Sequence, residues 1–300
     1  MDGVMILDKP ASFTSFDVVA VMRGLCCQRK AGHTGTLDPM ATGVLPILLG
    51  KATRALPFLP DTDKQYQASF QLGYATDTQD SSGTVRKTSD QTATRGQIEA
   101  ALCRFRGEIL QVPPMYSAVQ KDGCRLYTLA RQGIEVEREP RPVTVSQCEL
   151  VCFDETSQSG TLTVTCSKGT YIRTLCADIG DALGTFAVMT ALRRTMACGF
   201  SLGDALPLRR AREIVETGGT LEPFLHPIES LFSHLPQVAV SPGQAVRFRN
   251  GGALNLDRLT FPAAPADGDA YRVFAPGHVF LGLGEAASGH GLLKILRLFC

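Results

Sequence analysis

The alternation of apolar and polar residues along the chain predicts a mixture of strands and amphipathic helices. Residues 65–72 place an apolar side chain at every second position, which is the period of a strand with one buried face. Residues 162–166 repeat this alternation, and residues 172–183 then carry apolar side chains at helical spacing. A strand, a turn and a helix are therefore expected in the second half of the chain.

A first helix is predicted over residues 15–24. Thr14 supplies an N-cap side chain, and Phe16, Val19 and Met22 follow at helical spacing, which predicts that one face of this helix is apolar. We therefore expect these three side chains to lie on the same face.

A second capping signal lies near the middle of the chain. Thr94 is followed three residues later by Gln97, which is the spacing of a capping box, and Gly107 is the expected end of the helix. Five glycine and proline residues interrupt residues 32–46, where we expect an ordered loop without regular elements. A turn is expected at residues 81–83.

The pattern changes after Pro236 to short apolar runs separated by glycine and proline. Such runs are typical of strands and predict a small barrel-like β domain over residues 236–300, which leaves residues 1–235 as the main domain. The runs occupy residues 238–240, 245–248, 271–274, 279–283 and 292–298.

Composition sets wider limits on the class of protein. The 300 residues are 44% hydrophobic and 20% charged, as in globular proteins, and allow one large core or two unequal domains. The net charge of +1 requires any RNA site to be a local basic patch. Asp2 and Asp8 interrupt the N-terminal residues, so neither a signal peptide nor a membrane span is expected there, and the default location is cytoplasmic.

The ten cysteines are spread along the chain. None of them forms a pair with the two-residue spacing of a zinc knuckle or ribbon, so we expect reduced thiols and no structural metal.

The segment richest in chemical information is residues 32–43, which read GHTGTLDPMATG. On spacing alone, Asp38-Pro39 and the glycines are equally well explained as turn geometry. The run resembles G-H-x-G-x-L-D-P-x-A-T-G, the catalytic motif of the TruB family of pseudouridine synthases, whose bacterial members are tRNA pseudouridine-55 synthases.

Further matches to this family occur in the family's order. They resemble a second motif that supplies a tyrosine, a segment that leads into an RNA-clasping insertion at about 121–141, and a third and a fourth motif. These matches are Lys64-Gln65-Tyr66 with 76–80, then 111–119, 167–173 and 192–195.

The resemblance implies that Asp38 is the nucleophile and that no cofactor is needed. A carboxylate suits this role because the reaction breaks a carbon–nitrogen bond and needs a group that holds a carbon centre temporarily. Desolvation under a bound base would raise the pKa of this carboxyl group unless a cation lies beside it, and the family assigns that cation to Arg173. Attack at C1′ of the ribose and attack at C6 of uracil both remain open.

The resemblance also assigns the walls of the pocket. Tyr66 stacks on the uracil and is the candidate for removing the C5 proton, although its position in an alternating strand would otherwise indicate core packing. Tyr171 is the family's second pocket tyrosine, which hydrogen-bonds near the nucleophile, and Leu192 is an apolar wall.

RNA recognition is expected at the loop that carries Asp38. The family's histidine, here His33, fills the space of the extracted base, whereas outside the resemblance this residue would be a metal ligand or a bystander. Lys9 and Lys64 are candidates for contact with the RNA backbone.

The resemblance implies an α/β fold of the α+β type. We expect a mixed, largely antiparallel sheet with flanking helices, and a PUA-like C-terminal domain that binds the acceptor end of tRNA. The expected substrate is uridine 55 in the T loop, and the expected protein is a monomer without an obligatory protein partner. Two alternatives remain: a dyskerin-like, guide-dependent synthase, and an RNA-binding or RNA-folding protein whose catalysis is secondary. The insertion at 121–141 and residues 41–43 favour the stand-alone type.

Overall fold

Capping side chains set the starts of the first two helices in the computed structural model, which describes residues 1–60 and 62–300. Thr94 forms the predicted capping box with Gln97, and the predicted N-cap residue Thr14 also forms a capping box, with Asp17. Both predicted helices are thus confirmed. The six α-helices of the described residues are α1 (Ser15–Leu25), α2 (Arg95–Leu102), α3 (Leu126–Arg131), α4 (Ile172–Leu183), α5 (Leu208–Glu216) and α6 (Pro242–Arg249).

Short 3-10 helices, of which Gly50–Phe58 is the longest described, and strands make up the rest of the regular structure. Those in the described part of the chain are β1 (Gly3–Lys9), β2 (Ala31–His33), β3 (Thr42–Leu49), β4 (Lys64–Leu72), β5 (Tyr74–Thr76), β6 (Val85–Thr88), β7 (Gly107–Gln111), β8 (Gln120–Lys121), β9 (Cys124–Arg125), β10 (Arg141–Asp154), β11 (Ser159–Cys166), β12 (Ala187–Ala197), β13 (Phe200–Ser201), β14 (Leu206–Pro207), β15 (Leu225–His226), β16 (Gln237–Ala239), β17 (Leu254–Asn255), β18 (Ala270–Ala275), β19 (Val279–Ala287) and β20 (Leu292–Leu298).

The main sheet runs in the order β14-β1-β3-β12-β4-β11-β10-β7, with three short strands attached at its side. Most neighbours are antiparallel, whereas β1 with β14 and β3 with β12 are parallel. The predicted mixed, largely antiparallel sheet is confirmed. The alternating strand β4 and the β11–α4 unit are also present as predicted.

Strand β1 shows how the core is divided between the two faces of this sheet. Met5 and Leu7 face a cluster that includes apolar residues of α1, α2, α4 and α5, whereas Val4 and Ile6 face a second cluster. This division follows from the two-residue period of a strand. All four side chains are at most 1% exposed, so both faces of the strand are covered.

The loop predicted over residues 32–46 is shorter than expected. Strands β2 and β3 occupy its two ends, and only residues 34–41 are irregular. Gly43 lies at a φ of +105°, where a β-carbon would collide with the backbone of Arg194 on β12. The carbonyl of Pro46 accepts a hydrogen bond from the Thr34 N–H at 3.2 Å. The two breakers are therefore accommodated within a strand, so this part of the prediction was wrong.

Residues 237–298 form a second, five-stranded sheet in the order β16-β18-β19-β20-β17. The predicted strand at 245–248 is instead part of α6, because Ser241 and Gln244 form a capping box and Pro242 occupies the first turn. Leu283 and Phe299 pack in the same apolar cluster as Phe232. Contact thus continues across position 235, and the division into two domains there stays a prediction.

The hairpin of β8 and β9 begins at Gln120 and opens the segment 121–141, in which α3 follows it. Its side chains are mostly exposed. Among residues 1–60 and 62–300, no helix is long and apolar enough to cross a membrane, and no cluster of three metal-ligating side chains occurs. The ten cysteines carry free thiols.

Candidate active site

The loop that carries Asp38 is fixed from both sides by hydrogen bonds. Ser15, the first residue of α1, accepts a bond from the Leu37 N–H at 2.8 Å and donates to the Leu37 carbonyl at 3.2 Å. The Ala41 N–H donates to the Asp38 carbonyl at 3.0 Å, which closes a turn around Pro39. The backbone on each side of the carboxylate therefore has a defined position.

Asp38 and Arg173 form a two-atom ion pair. The Arg173 Nε atom lies 3.0 Å from Oδ2 of Asp38, and Nη2 lies 3.3 Å from Oδ1. This contact matches the planar guanidinium to the planar carboxylate. The Arg173 side chain is only 7% exposed, whereas that of Asp38 is 33% exposed. The carboxylate is thus held from the protein side and remains reachable by a substrate.

Further contacts hold the guanidinium of Arg173 from behind. It donates to the Tyr116 carbonyl at 2.9 Å and to the Thr78 carbonyl at 3.2 Å. A second carboxylate, that of Asp80, lies 3.8 Å from Nη1 and is almost fully buried. Sequence reasoning gave Asp80 no role, although the residue lies inside the second family motif. Its burial within an otherwise polar turn was not visible in the sequence.

Opposing effects set the pKa of Asp38. Burial has the largest influence and raises the pKa of this carboxyl group above its ordinary value, and the nearby Asp80 acts in the same direction. The positive charges of Arg173 and Lys9 oppose this rise. The two cations therefore favour the ionised form that a nucleophile requires.

Lys9 contradicts its predicted role in RNA contact. Its side chain has no exposed surface, and Nζ donates to the carbonyls of Phe13 at 2.5 Å, Pro10 at 3.0 Å and Pro39 at 3.2 Å. Burial lowers the pKa of Lys9 to about 8. The ammonium group is directed inward at the end of the apolar strand β1. It fixes the Asp38 loop and cannot reach an RNA phosphate.

Tyr66 and Leu192 lie on the neighbouring strands β4 and β12 and share one buried cluster. They are 8% and 7% exposed. Tyr66 lies directly opposite Arg194 in the strand register. Burial raises the pKa of the Tyr66 hydroxyl, and the charge of Arg194 opposes this effect. Arg194 belongs to the fourth motif but received no role from the sequence.

Tyr171 is placed by its backbone. Its N–H donates to Oε1 of Gln111 at 2.7 Å, and its carbonyl accepts from Nε2 of the same side chain at 3.0 Å. The hydrogen bond expected between its hydroxyl and the surroundings of the nucleophile stays a prediction. The buried Gln111, which sequence reasoning missed, fixes the residue that precedes α4.

The rim of the site contains the predicted His33. This residue is half-buried and meets the edge of the Phe16 ring at 5.5 Å between centroids. Burial and the charge of Arg194 lower the pKa of His33, which favours the neutral imidazole at pH 7. Phe16 is 67% exposed, although helical spacing placed it on the apolar face. Nζ of Lys64 lies 3.4 Å from the position that a β-carbon on Gly35 would occupy, so it lies beside the loop.

Family models match almost the whole chain. The N-terminal domain of the TruB family of pseudouridylate synthases matches residues 23–172, the C-terminal domain of tRNA pseudouridylate synthase B matches 173–233, and the C-terminal model of pseudouridine synthase II TruB matches 236–299. The chain belongs to the TruB family of pseudouridine synthases. It is thus an enzyme of the isomerase class, because pseudouridine and uridine have the same composition.

Individual relatives agree with this assignment to the TruB family. The chain is 46% identical over 298 residues to tRNA pseudouridine synthase B of Dechloromonas aromatica (strain RCB). The alignment covers 99% of this chain and 95% of that protein. Identity to the enzyme of the same name from Azoarcus sp. (strain BH72) is 44%, over 96% of this chain and 92% of that protein.

Solved structures related to the TruB family share the fold. A Cbf5-Nop10-Gar1 complex contains a chain that is 27% identical with a TM-score of 0.76, and the match covers 99% of this chain and 85% of that chain. An H/ACA RNP bound to a substrate RNA containing 2′-deoxyuridine gives 25% identity, the same TM-score and the same coverage. The higher identity to the tRNA enzymes does not favour the guide-dependent alternative.

Proposed function

We propose that this protein converts uridine 55, in the T loop of tRNA, to pseudouridine, with Asp38 as the nucleophile. The observation that carries the proposal is the two-atom contact between Arg173 and Asp38, which holds a partly exposed carboxylate. The similarity of the whole chain to enzymes named tRNA pseudouridine synthase B supports the choice of substrate.

The proposed reaction has three stages. The bond between N1 of uracil and C1′ of ribose breaks, the base rotates, and a new bond joins C5 to C1′. Asp38 holds a carbon centre during the rotation, at C1′ or at C6, and Arg173 keeps the carboxylate oriented and ionised. Because Asp38 supplies the nucleophile and Tyr66 supplies the base, the reaction needs no cofactor.

The target base must leave the folded loop before the reaction, at a cost of about a few kcal/mol for unstacking. We assign His33 to the space that the base leaves, because its neutral imidazole lies at the rim of the site beside Phe16. Tyr66 and Leu192 form the apolar side of the pocket for uracil. Lys64 contacts the RNA backbone beside the loop, and Tyr171 lines the opposite side of the pocket.

The remaining contacts with tRNA are proposed for two other regions. The segment 121–141 closes over the T arm, and its Tyr127 lies within 6 Å of the guanidinium groups of Arg125 and Arg131, a combination suited to bases and phosphates. Residues 236–300 bind the acceptor end. We propose that the protein acts as a monomer, in the cytoplasm, without a protein partner.

The test is to incubate the pure protein with an unmodified tRNA transcript, without nucleotide or guide RNA, and to map the pseudouridines. We expect one modified site, in the T loop, and none in a control transcript that carries cytidine at position 55. A requirement for guide RNA would support the guide-dependent alternative. Binding without product would support an RNA-binding or RNA-folding protein, and either result would contradict the proposal.

A further inference from the structure

Arg194 is a buried cation that pairs with no carboxylate of residues 1–60 and 62–300. Its side chain has no exposed surface, and none of the ion pairs between described residues includes it. Nε donates to the Val44 carbonyl at 2.7 Å, and Nη2 donates to the Gly35 carbonyl at 3.2 Å. Nη1 is buried and has no hydrogen-bonding partner within the described part of the chain. The guanidinium is therefore held in place while one of its donor groups is unused.

A charge in this setting is costly for the folded protein, because burial removes its hydration and no carboxylate in the described part of the chain neutralises it. The neighbouring strand supplies one group that could become an anion. Tyr66 lies directly opposite Arg194 in the register of β4 and β12, so the two side chains leave the sheet on the same face, and the charge of Arg194 acts to lower the pKa of the Tyr66 hydroxyl. Lys9 and His33 also lie near Arg194, and Nζ of Lys64 and Nη1 of Arg194 both lie beside Gly35. The basic character of these three groups excludes them as counter-ions.

RNA phosphate is not a plausible counter-ion for Arg194. The side chain has no solvent-accessible surface, and the backbones of β3 and of the Asp38 loop lie against it. A backbone phosphate outside the protein could not contact the guanidinium without displacing these segments. A negative charge that pairs with this guanidinium would therefore have to arise inside the site.

We propose that Arg194 is a positioning residue that stabilises the phenolate of Tyr66 while Tyr66 removes the C5 proton of the rotated uracil. This inference rests on the proposed function. The phenolate oxygen accepts the proton and becomes a neutral hydroxyl. The electron pair of the C5–H bond restores the double bond between C5 and C6, and the electron pair of the N1=C6 bond moves onto N1. N1, which has left C1′, then takes up one proton, and the Tyr66 hydroxyl gives one up, directly or through solvent, which regenerates the phenolate. Uridine and product thus keep the same composition.

The other groups that face Tyr66 determine how a loss of Arg194 should change the stability of the phenolate. Cys166 on β11 and the carboxylate of Asp38 both disfavour a negative charge on the phenol, as burial does. Arg194 is the group that opposes all three. A variant that lacks the charge or the planar geometry of Arg194 should therefore form the Tyr66 phenolate less readily. A higher pH should restore the phenolate.

The experiment measures the single-turnover rate of pseudouridine formation at saturating enzyme over a pH series, together with tRNA affinity. Arg194→Lys keeps the charge but lacks the flat, multi-donor geometry. We expect it to lower the rate at neutral pH by about 10–100-fold, to leave tRNA affinity within about twofold, and to regain much of the loss at alkaline pH. Arg193→Lys is the matched control on the same strand, since Arg193 is partly exposed and paired with Asp8 at 2.7 Å.

A rate for Arg194→Lys equal to that of the unchanged protein at every pH would overturn the inference, as would a loss confined to affinity. A protein that forms no pseudouridine at all would instead contradict the proposed function. Thermal melting shows whether Arg194→Lys folds. If it does not fold, the test uses instead a protein that carries fluorotyrosine at position 66 and is otherwise unchanged. Its lower phenol pKa should move the alkaline rise of the rate to lower pH, and an unmoved profile would also overturn the inference.

Discussion

The deep part of the site and its rim are built in different ways. In the deep part, the side chains of Arg173 and Asp80 are only 7% and 8% exposed. The guanidinium of Arg173 is oriented by its contacts with Asp38 and with two backbone carbonyls. At the rim, Phe16 is 67% exposed and meets His33 only edge-on. The deep part has fixed geometry and little free surface, whereas the rim has free surface and few restraints.

This difference indicates which part of the site should control the reaction rate and which should control the affinity for tRNA. A preorganised group near the reacting atoms stabilises charge in the transition state, so its loss lowers the rate. An exposed ring can stack on a base, so its loss weakens binding. We therefore expect changes in the deep part to alter the rate at constant affinity and changes at the rim to do the reverse.

The largest effect is expected from Asp38→Asn. The amide cannot act as the nucleophile, so pseudouridine formation should fall by about 10⁴-fold or more, while tRNA affinity stays within several-fold. Single-turnover rates and filter binding measure the two quantities. Asp77→Asn is a matched control, because Asp77 pairs with the exposed Arg86. Turnover retained in Asp38→Asn would remove Asp38 as the nucleophile.

Arg173→Lys tests the two-atom contact itself. Lysine keeps the charge but cannot reproduce the contacts of Nε and Nη2 with the carboxylate, so we expect a rate lower by about 10²-fold at nearly constant affinity. The control is Arg86→Lys, which changes an exposed ion pair with Asp77. If affinity fell and the rate did not, the proposed split between deep part and rim would be wrong.

Asp80→Asn should shift the pH dependence of the rate. Protonation of Asp38 stops the reaction, so the rate falls as pH decreases through the pKa of Asp38, which burial raises. The negative charge of Asp80 contributes to that raised value. Its removal makes Asp38 easier to ionise, and the acid limb should move to lower pH. An acid limb that stayed in place or moved to higher pH would show that Asp80 does not act through Asp38.

Phe16→Ala should have the smallest effect. Loss of one exposed ring is expected to cost about 1 kcal/mol of binding free energy, or about fivefold in Kd, with the single-turnover rate unchanged. Val151→Ala, at an exposed position on β10, is the control for loss of apolar surface. A slower reaction at saturating enzyme would place Phe16 in the chemistry and not in binding.

The parts of the fold that the sequence predicts are those fixed by local interactions. Strand β4 and helix α4 follow from periodicity, and the starts of α1 and α2 follow from capping residues. Strand β3 was missed because Gly43 and Pro46 look like breakers until the neighbouring strands are in place. The role of Gly43 depends on Arg194, which lies about 150 residues away.

The site shows the same limit. Family motifs named Asp38 and Arg173, which the structure brings into contact across 135 residues of sequence. They did not indicate that Lys9 is turned inward or that Asp80 lies behind Arg173. Both facts depend on burial, which arises only when distant segments close over a polar group. The predicted contact of Lys9 with RNA therefore assumed an exposed side chain, which the fold does not provide.

The hydrogen bond from Arg173 to the Tyr116 carbonyl has a mechanical consequence. Tyr116 precedes the insertion at 121–141, so the root of the segment proposed to grip RNA rests on the same guanidinium that holds the nucleophile. Any displacement of this root must stretch that bond or pull the guanidinium with it. The proposed contact with tRNA and the alignment of the Asp38 carboxylate therefore both depend on this hydrogen bond. An RNA that binds in the wrong position would also displace the carboxylate.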